Sequence, residues 1–90
     1  MTEPHDTKIK RLRMRSMRRG IKEMDLILQA FAEAHLHGFS DEALALYDQL
    51  LSENDHDIYG WIGGQFPTPA QYLDLVTQIA SKAEGVTRPD

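Results

Sequence analysis

The sequence has no cysteine, one tryptophan, and no apolar run that approaches the length of a membrane span. Without cysteine there is neither a disulfide nor a thiolate metal site, so the hydrophobic core must hold the 90-residue fold. A core of this size rarely supplies more than about 3–5 kcal/mol of net stability. Proline and glycine, at 4 and 6 residues, are not enriched, and this composition predicts an ordinary globular domain rather than a disordered chain.

Charge is divided unevenly along the chain, although the net charge is only -4. Residues 1–22 contain eight Lys or Arg against two acids, a net charge of +6, whereas residues 23–90 contain two against twelve, a net charge of -10. A basic arm on an acidic body predicts a charged partner. Docking to an acidic protein, docking to nucleic acid, and pairing with the protein's own acids all remain open. The arm has no aromatic residue and the overall pI is about 5.5, which favours protein over nucleic acid.

The N-terminal segment lacks the apolar stretch of a secretory signal. Its acidic residues, Glu3 and Asp6, are atypical of a mitochondrial transit peptide, although the segment is rich in arginine. We therefore expect an unprocessed bacterial protein of the cytoplasm with no membrane insertion. The absence of cysteine is consistent with a reducing compartment.

Apolar residues recur at helical spacing, and no segment alternates with the period of a strand. This pattern predicts an all-α fold, a compact bundle of about five short helices in one domain over residues 1–90, with flexible tails at 1–6 and 86–90. The predicted helices run from Asp6 or Thr7 to about Met17, from Gly20 to near Gly38, from Ser40 to Asn54, from Asp55 to Gly63, and from Thr68 to Gly85. The first residue of each range is the predicted N-cap.

Helical spacing also predicts which side chains face the core. Ile9, Leu12, Met14 and Met17 make a weak apolar pattern in the first helix, and its basic residues would form one continuous stripe if the helix ran on to Lys22. The inward residues predicted for the later helices are Met24, Ile27, Leu28, Phe31, His35, Ala43, Leu44, Tyr47, Leu50, Leu51, Ile58, Trp61, Ile62, Tyr72, Leu73, Val76, Ile79, Ala80 and Ala83.

The junction between the first two helices is the candidate working surface. With Gly20 as N-cap, Glu23 occupies the third helical position, where its carboxylate can accept a hydrogen bond from the Gly20 amide. A glycine there would also let a partner backbone approach closely. Arg19 is either an ordinary exposed charge or a donor of paired hydrogen bonds to a partner's carboxylate.

Residues suited to catalysis or metal binding are few. His35 and His37 are two apart, a spacing that points their side chains to different faces of a helix. No serine has a neighbouring histidine that would activate it, and Ser40 suits a helix N-cap. The glycines at Gly60 and Gly63 lack the preceding strand and the spacing of a phosphate-binding loop. We therefore expect no enzymatic activity, no catalytic residue, no metal site and no stably bound cofactor.

Several short segments match one known family in order and spacing, over roughly Lys8 to Ala80. They are Arg19-Gly20-x-x-Glu23, Met24-Asp25-Leu26-Ile27-Leu28, Phe31-Ala32, Tyr47-x-x-Leu50-Leu51 and Asp57-Ile58-Tyr59-x-Trp61. In combination these segments resemble the succinate dehydrogenase assembly factor 2 family. The resemblance implies a five-helix bundle, in agreement with the periodicity of the sequence.

The resemblance also implies a function. Proteins of this family bind the flavoprotein subunit of succinate dehydrogenase, and in some bacteria that of fumarate reductase, and promote covalent attachment of FAD to it. By the same resemblance, Arg19, Gly20 and Glu23 lie on the surface that meets the flavoprotein, supported by Arg15, Arg18 and Asp25. The flavoprotein, as the client of this protein, then supplies the groups that react with the flavin. We expect this chain to be a monomeric assembly chaperone. The alternative is a small regulatory nucleic-acid-binding or antitoxin-like protein that uses the basic N-terminal helix.

Overall fold

The computed structural model of the chain describes residues 3–87, with side chains described as far as Ala83. Five α-helices lie in this part of the chain: α1 His5–Arg15, α2 Lys22–His35, α3 Asp41–Leu51, α4 Asp55–Ile62 and α5 Leu73–Thr87. Short 3-10 turns at Leu36–Gly38 and Ala70–Tyr72 follow α2 and precede α5. No strand occurs between residues 3 and 87, so the all-α prediction is confirmed.

One hydrophobic core joins the five helices. The amphipathic helix α2 packs against α5 and α1, while α3 packs against α1 and α4 against α5. The predicted inward residues of α2 are buried, with His35 as the exception. The His35 ring lies at the helix end, where it is exposed but contacts the Phe31 ring at a centroid distance of 4.9 Å.

The helix-capping prediction is confirmed for α3 and wrong for α4 and α5. The Ser40 hydroxyl accepts a hydrogen bond from the Ala43 amide at 3.1 Å. At α4 the cap is Asn54, which has the extended backbone that an N-cap requires and accepts from the His56 amide at 2.9 Å, so Asp55 is the first helical residue. Thr68 caps nothing, because a 3-10 turn stands between it and α5.

The 3-10 turn also changes which residues of α5 face the core. Such a turn has three residues per turn instead of 3.6, so the phase predicted from an uninterrupted α-helix no longer applies. Leu73, predicted to point inward, is 53% exposed, and Leu75 is buried in its place. Gly85 lies within α5 rather than at its end.

Both chain ends are more helical than expected within the described residues. His5 and Asp6 belong to α1, and residues 86–87 belong to α5. Glu3 and Pro4 precede α1, as a tail would, and Met1-Thr2 and residues 88–90 lie outside the described part of the chain. Among residues 3–87, no helix is both long enough and apolar enough to cross a bilayer.

A close contact in α4 escaped prediction altogether. Gly60 is buried, and a Cβ atom added there would lie 2.2 Å from the Phe66 ring. The backbone amides of Gln65 and Phe66 both donate to the Gly60 carbonyl, at 2.8 and 3.3 Å. Gly60 therefore lets the segment after α4 fold back over the helix, with Phe66 49% exposed on top of it.

Candidate protein-docking site

The segment that joins α1 to α2, residues 16–21, reverses the chain without a helix cap of its own; we refer to it as the α1–α2 turn. Arg18 and Gly20 both have positive φ, 55° and 102°. The extended residue before α2 is Ile21, whose side chain packs against the core. Gly20 is therefore not the N-cap, and Glu23 is the second helical residue, so the predicted capping arrangement is wrong.

Arg19 is held inside the protein rather than presented to solvent. Its guanidinium donates to the Asp55 carboxylate at 2.7 and 3.0 Å, to the Leu51 carbonyl at 2.6 Å, and to the Arg15 carbonyl at 3.0 Å. The side chain is 12% exposed. A cation placed at the carbonyl ends of α1 and α3 also opposes the negative ends of both helix dipoles. Arg19 thus fastens the turn to three helices.

Asp25 completes this arrangement from α2. Its carboxylate accepts a hydrogen bond from the Arg19 backbone amide at 2.7 Å. The bond supplies part of what a capping side chain would otherwise do, since it holds the chain ahead of the helix. We call Arg19, Asp25 and Asp55 the Arg19 latch. Its members fix the path of the backbone on both sides of Gly20.

Arg15 is likewise engaged within the protein. It forms an ion pair with the Asp48 carboxylate and donates to the Asp48 carbonyl at 3.3 Å and to the Ser52 hydroxyl at 3.2 Å. Through these contacts the end of α1 is joined to the last turn of α3. Arg15 and Arg19 therefore shape the predicted site, while their charged groups are already occupied.

Glu23 is exposed, and the Tyr59 hydroxyl donates a hydrogen bond to its carboxylate. This hydrogen bond to the Glu23 carboxylate raises the pKa of Tyr59. Tyr59 packs against the core from α4, so the contact links the start of α2 to α4. One face of Glu23 is thus oriented by the protein, and the side chain remains accessible to a partner.

Gly20 stands bare between these charged neighbours. It is exposed, and no atom lies within 4 Å of the position that a Cβ would occupy. The glycine is required by its positive φ and not by crowding, because a residue with a side chain is strained at φ 102°. The turn therefore offers an open stretch of backbone that a partner can approach.

The eight cations of the basic arm divide into two groups. Five are paired with the protein's own acids: Lys8 with Asp41, Arg11 with Glu3 and Asp48, Arg13 with Glu33, Arg15 with Asp48, and Arg19 with Asp55. The other three, Lys10, Arg18 and Lys22, are exposed and have no ion pair with any residue of the described part. The condition for one continuous stripe, a helix that runs on to Lys22, is not met, because α1 ends at Arg15.

The shifts in pKa in this part of the protein arise from hydrogen bonding and burial. Arg11 lowers the pKa of Glu3 by donating hydrogen bonds to it, and burial raises the pKa of Tyr47 to about 12. Within residues 3–83, no group of three or more histidine, aspartate or glutamate side chains could hold a metal ion. The α1–α2 turn and its charged neighbours are therefore suited to contact with a partner protein.

The structure brings together five of the six predicted site residues through the turn and its contacts. Arg15, Arg19 and Asp25 form the hydrogen bonds of the turn, and Arg18 and Gly20 are exposed on it. Glu23 lies outside the turn, as the second residue of α2. Sequence reasoning missed Asp48, Asp55 and Tyr59, which position these residues from α3 and α4. The Tyr59 segment was matched to the family pattern, but its contact with Glu23 is 36 residues away along the chain.

Comparison with known proteins identifies the family. A family model described as "Flavinator of succinate dehydrogenase" matches residues 10–83. The chain is 45% identical over 92 aligned positions to "Succinate dehydrogenase assembly factor 2-A, mitochondrial" of Drosophila yakuba, covering 96% of this chain and 57% of that protein. Its counterpart in Drosophila persimilis is 42% identical, with 96% and 58% covered.

The prediction of a bacterial cytoplasmic protein is contradicted by these relatives, which are named mitochondrial and come from Drosophila. The chain spans a little over half the length of the Drosophila yakuba protein, 57%. The family match itself covers most of the chain, including the α1–α2 turn and all five helices in part or in full. The chain therefore belongs to the family of succinate dehydrogenase flavinators.

Proposed function

We propose that this protein binds the flavoprotein subunit of succinate dehydrogenase through the α1–α2 turn and promotes covalent attachment of FAD to it. Family membership supports the succinate dehydrogenase assembly role. The observation that carries the proposal is Gly20, an open and exposed piece of backbone held rigidly between Arg18 and Glu23. The flavoprotein of fumarate reductase is a second possible client.

In this proposal the protein is not an enzyme, and the flavin is bound by the client. The client and its flavin supply the reacting groups, and this chain supplies a preformed surface. Binding the client conformation in which the reacting groups are aligned raises the population of that conformation, and it therefore raises the rate of bond formation. The protein acts as a monomeric chaperone.

The Arg19 latch makes this surface suitable for such a role. A partner that docks onto a flexible turn must first order it, and the cost is about 1–2 kcal/mol for each residue whose backbone is fixed. Here the turn is already held by hydrogen bonds to α1, α3 and α4. Binding energy can therefore act on the conformation of the client instead of on that of the chaperone.

The experiment compares Gly20→Ala with Gly64→Ala. Both glycines have positive φ, 102° and 76°, and neither has an atom within 4 Å of the added Cβ. Each substitution should therefore cost a similar amount of stability, about 1–2 kcal/mol, through backbone strain alone. Flavoprotein is incubated with FAD and each variant, and its covalently bound flavin is measured by fluorescence in a denaturing gel.

Wild-type protein and Gly64→Ala should increase covalent flavin, and Gly20→Ala should not. Equal activity of the two variants would remove the α1–α2 turn from the site. No increase with the wild-type protein, on either the succinate dehydrogenase or the fumarate reductase flavoprotein, would overturn the function itself.

A further inference from the structure

Two methionines of the basic arm have exposed side chains. Met14 is 66% exposed and Met17 is 41% exposed. Both belong to the weak apolar pattern of the first predicted helix, but neither lies in the hydrophobic core. They are turned away from it because Ile9 and Leu12 already supply the buried face of α1. Exposed apolar side chains that lie together and are rimmed by polar residues mark interaction surfaces.

The shape of the surface around Met14 sets this pair apart from the other exposed apolar residues. Two shallow depressions share Met14 as a wall. One is lined by Thr7, Lys10, Arg11, Met14 and Arg15, and the other by Met14, Met17 and Arg18. Met14 therefore forms a ridge between two hollows, and each hollow has its own cations.

The cations that line the two hollows differ in whether an acidic residue of the protein pairs with them. Arg11 and Arg15 are neutralised by Glu3 and Asp48, so they add little net charge. Lys10 in the first hollow and Arg18 in the second are exposed and have no acidic partner within the described residues. Across the surface, the unpaired Lys10 cation is therefore followed by the Met14 thioether and then by the unpaired Arg18 cation. Arg18 also belongs to the α1–α2 turn, which carries Gly20.

We propose that this surface, Lys10, Met14, Met17 and Arg18, binds an acidic protein segment in which an apolar side chain lies between two carboxylates. The inference rests on the proposed function, since the segment belongs to the flavoprotein and lies beside the part that meets Gly20. Carboxylates complement the unpaired Lys10 and Arg18, and a flexible thioether accommodates an apolar side chain of irregular shape.

Nucleic acid fits the same surface less well. A phosphate backbone would match the two cations, but it would leave the methionines without apolar contact. Residues 1–30 contain no aromatic side chain on which a base could stack. Most of the arm's cations are in addition held by internal acids. The unpaired cations are too few to supply the salt-dependent affinity that is typical of nucleic-acid binding.

The test separates the apolar and the charged contributions by their kinetics. Met14→Gln retains the length and helix propensity of the side chain and removes its apolar contact. It should increase the dissociation rate constant of the flavoprotein complex about fivefold to thirtyfold, as expected at an interface hot spot. Leu73→Gln is the matched control, because Leu73 is similarly exposed but lies at the start of α5.

The double variant Lys10→Glu with Arg18→Glu should act on association instead. Charges that steer an encounter change the association rate constant, here by about tenfold, and reduce its dependence on salt between about 50 and 300 mM. Lys82→Glu, on α5, is the control for a charge reversal outside this surface, with half the change in net charge, and it should leave both rate constants nearly unchanged. Binding is followed by biolayer interferometry with the full chain immobilised and the flavoprotein in solution.

The outcomes distinguish the inference from the proposed function. If the wild-type protein binds the flavoprotein, and the Met14 and charge variants bind it equally well while Gly20→Ala does not, the inference alone is overturned. If the wild-type protein does not bind the flavoprotein, both fall. Binding of a short DNA duplex that the charge variant abolishes would also overturn the acidic protein segment as the occupant.

Discussion

The α1–α2 turn and the connection between α3 and α4 begin alike and end differently. Each opens with a serine directly after a helix, and each hydroxyl donates to the carbonyl four residues back: Ser16 to Leu12 at 2.8 Å, and Ser52 to Asp48 at 3.3 Å. After Ser52 the chain needs only two more residues before α4, with Asn54 as a local cap. After Ser16 it needs five and has no local cap.

The longer connection is held by residues that are distant in sequence. Ser16 is buried and shares a hydrogen bond of 2.6 Å with the Tyr47 hydroxyl, whereas Ser52 is exposed. Arg19 reaches Asp55 and the Leu51 carbonyl, so the α1–α2 turn is fastened to the very ends of the two helices that the other connection joins. The α3–α4 connection has a local cap in addition to its contacts with Arg15 and Arg19, whereas the α1–α2 turn has no local cap and depends on the packed bundle.

This difference suits the two connections to different tasks. A capped connection uses its polar groups on its own backbone, so it has few left for a partner. The α1–α2 turn is held through Arg19 and Ser16, and Arg18, Gly20 and Glu23 are left exposed. Rigidity and accessibility coexist there because different residues provide them.

The comparison is tested most strongly by removing Arg19. Arg19→Ala leaves the Asp55 carboxylate and two helix-end carbonyls without their donor, and it should reduce the free energy of unfolding by about 2–4 kcal/mol. For a domain of this size that is most of the total. Arg18→Ala is the control, because Arg18 has no ion pair with the described residues, and it should stay within about 0.5 kcal/mol. Urea denaturation followed by circular dichroism measures both, and equal losses would contradict the latch.

The two serines provide a second test, in which the same substitution is made in each connection and the expected loss of stability is smaller. Ser16 has one hydrogen, which it gives to Leu12, so the Tyr47 hydroxyl donates to Ser16. Ser16→Ala leaves that buried hydroxyl without its acceptor, at a cost of about 1–3 kcal/mol. Ser52→Ala, at an exposed position, should change stability by less than about 0.5 kcal/mol. Thermal or urea unfolding curves of the two variants measure both losses of stability. A larger loss for Ser52→Ala would contradict the stabilising role given to the contact between Ser16 and Tyr47.

High pH provides the mildest test of the same contact. Burial raises the pKa of Tyr47 to about 12, above the value near 10 of a tyrosine in the unfolded chain. The protonated form is favoured by folding, so this stability is complete below about pH 10 and is lost as the pH rises from about 10 to about 12. By about pH 11 the loss from Tyr47 should be about 1.4 kcal/mol.

Tyr47→Phe should remove that part of the alkaline loss. The quantity to measure is the difference in unfolding free energy between about pH 8 and about pH 11 for each protein. Tyr59 and Tyr72 also have raised pKa values and remain in the variant, so some loss will persist. The same difference in both proteins would show that Tyr47 does not titrate with unfolding.

The helices themselves were predictable because their signals are local. Spacing of apolar residues at i, i+3 and i+4 placed α2 and α3 and most of their buried residues, and Ser40 is a cap that depends on a residue three positions away. Errors occurred where two local signals competed. At α4 both Asn54 and Asp55 are good caps, and at α5 a 3-10 turn replaced the first helical turn.

The candidate site was predictable in its residues and not in their roles. Arg19, Gly20 and Glu23 were assigned to the partner surface by their resemblance to a family pattern, but the pattern does not distinguish an exposed residue from one held by internal contacts. Arg19 is buried because Asp55 and Leu51, more than 30 residues further along, surround it. Gly20 is exposed because the turn that this latch holds carries it outward at φ 102°.

The sequence alone determined that this chain is a helical bundle with a charged junction between its first two helices, since periodicity and capping act over a few neighbouring residues. Only the tertiary structure decided which charges are available. Five of the arm's cations meet acids from elsewhere in the described chain, and Lys10, Arg18 and Lys22 do not. Pairing depends on distances between helices, and those distances are set by packing of the core rather than by position along the chain.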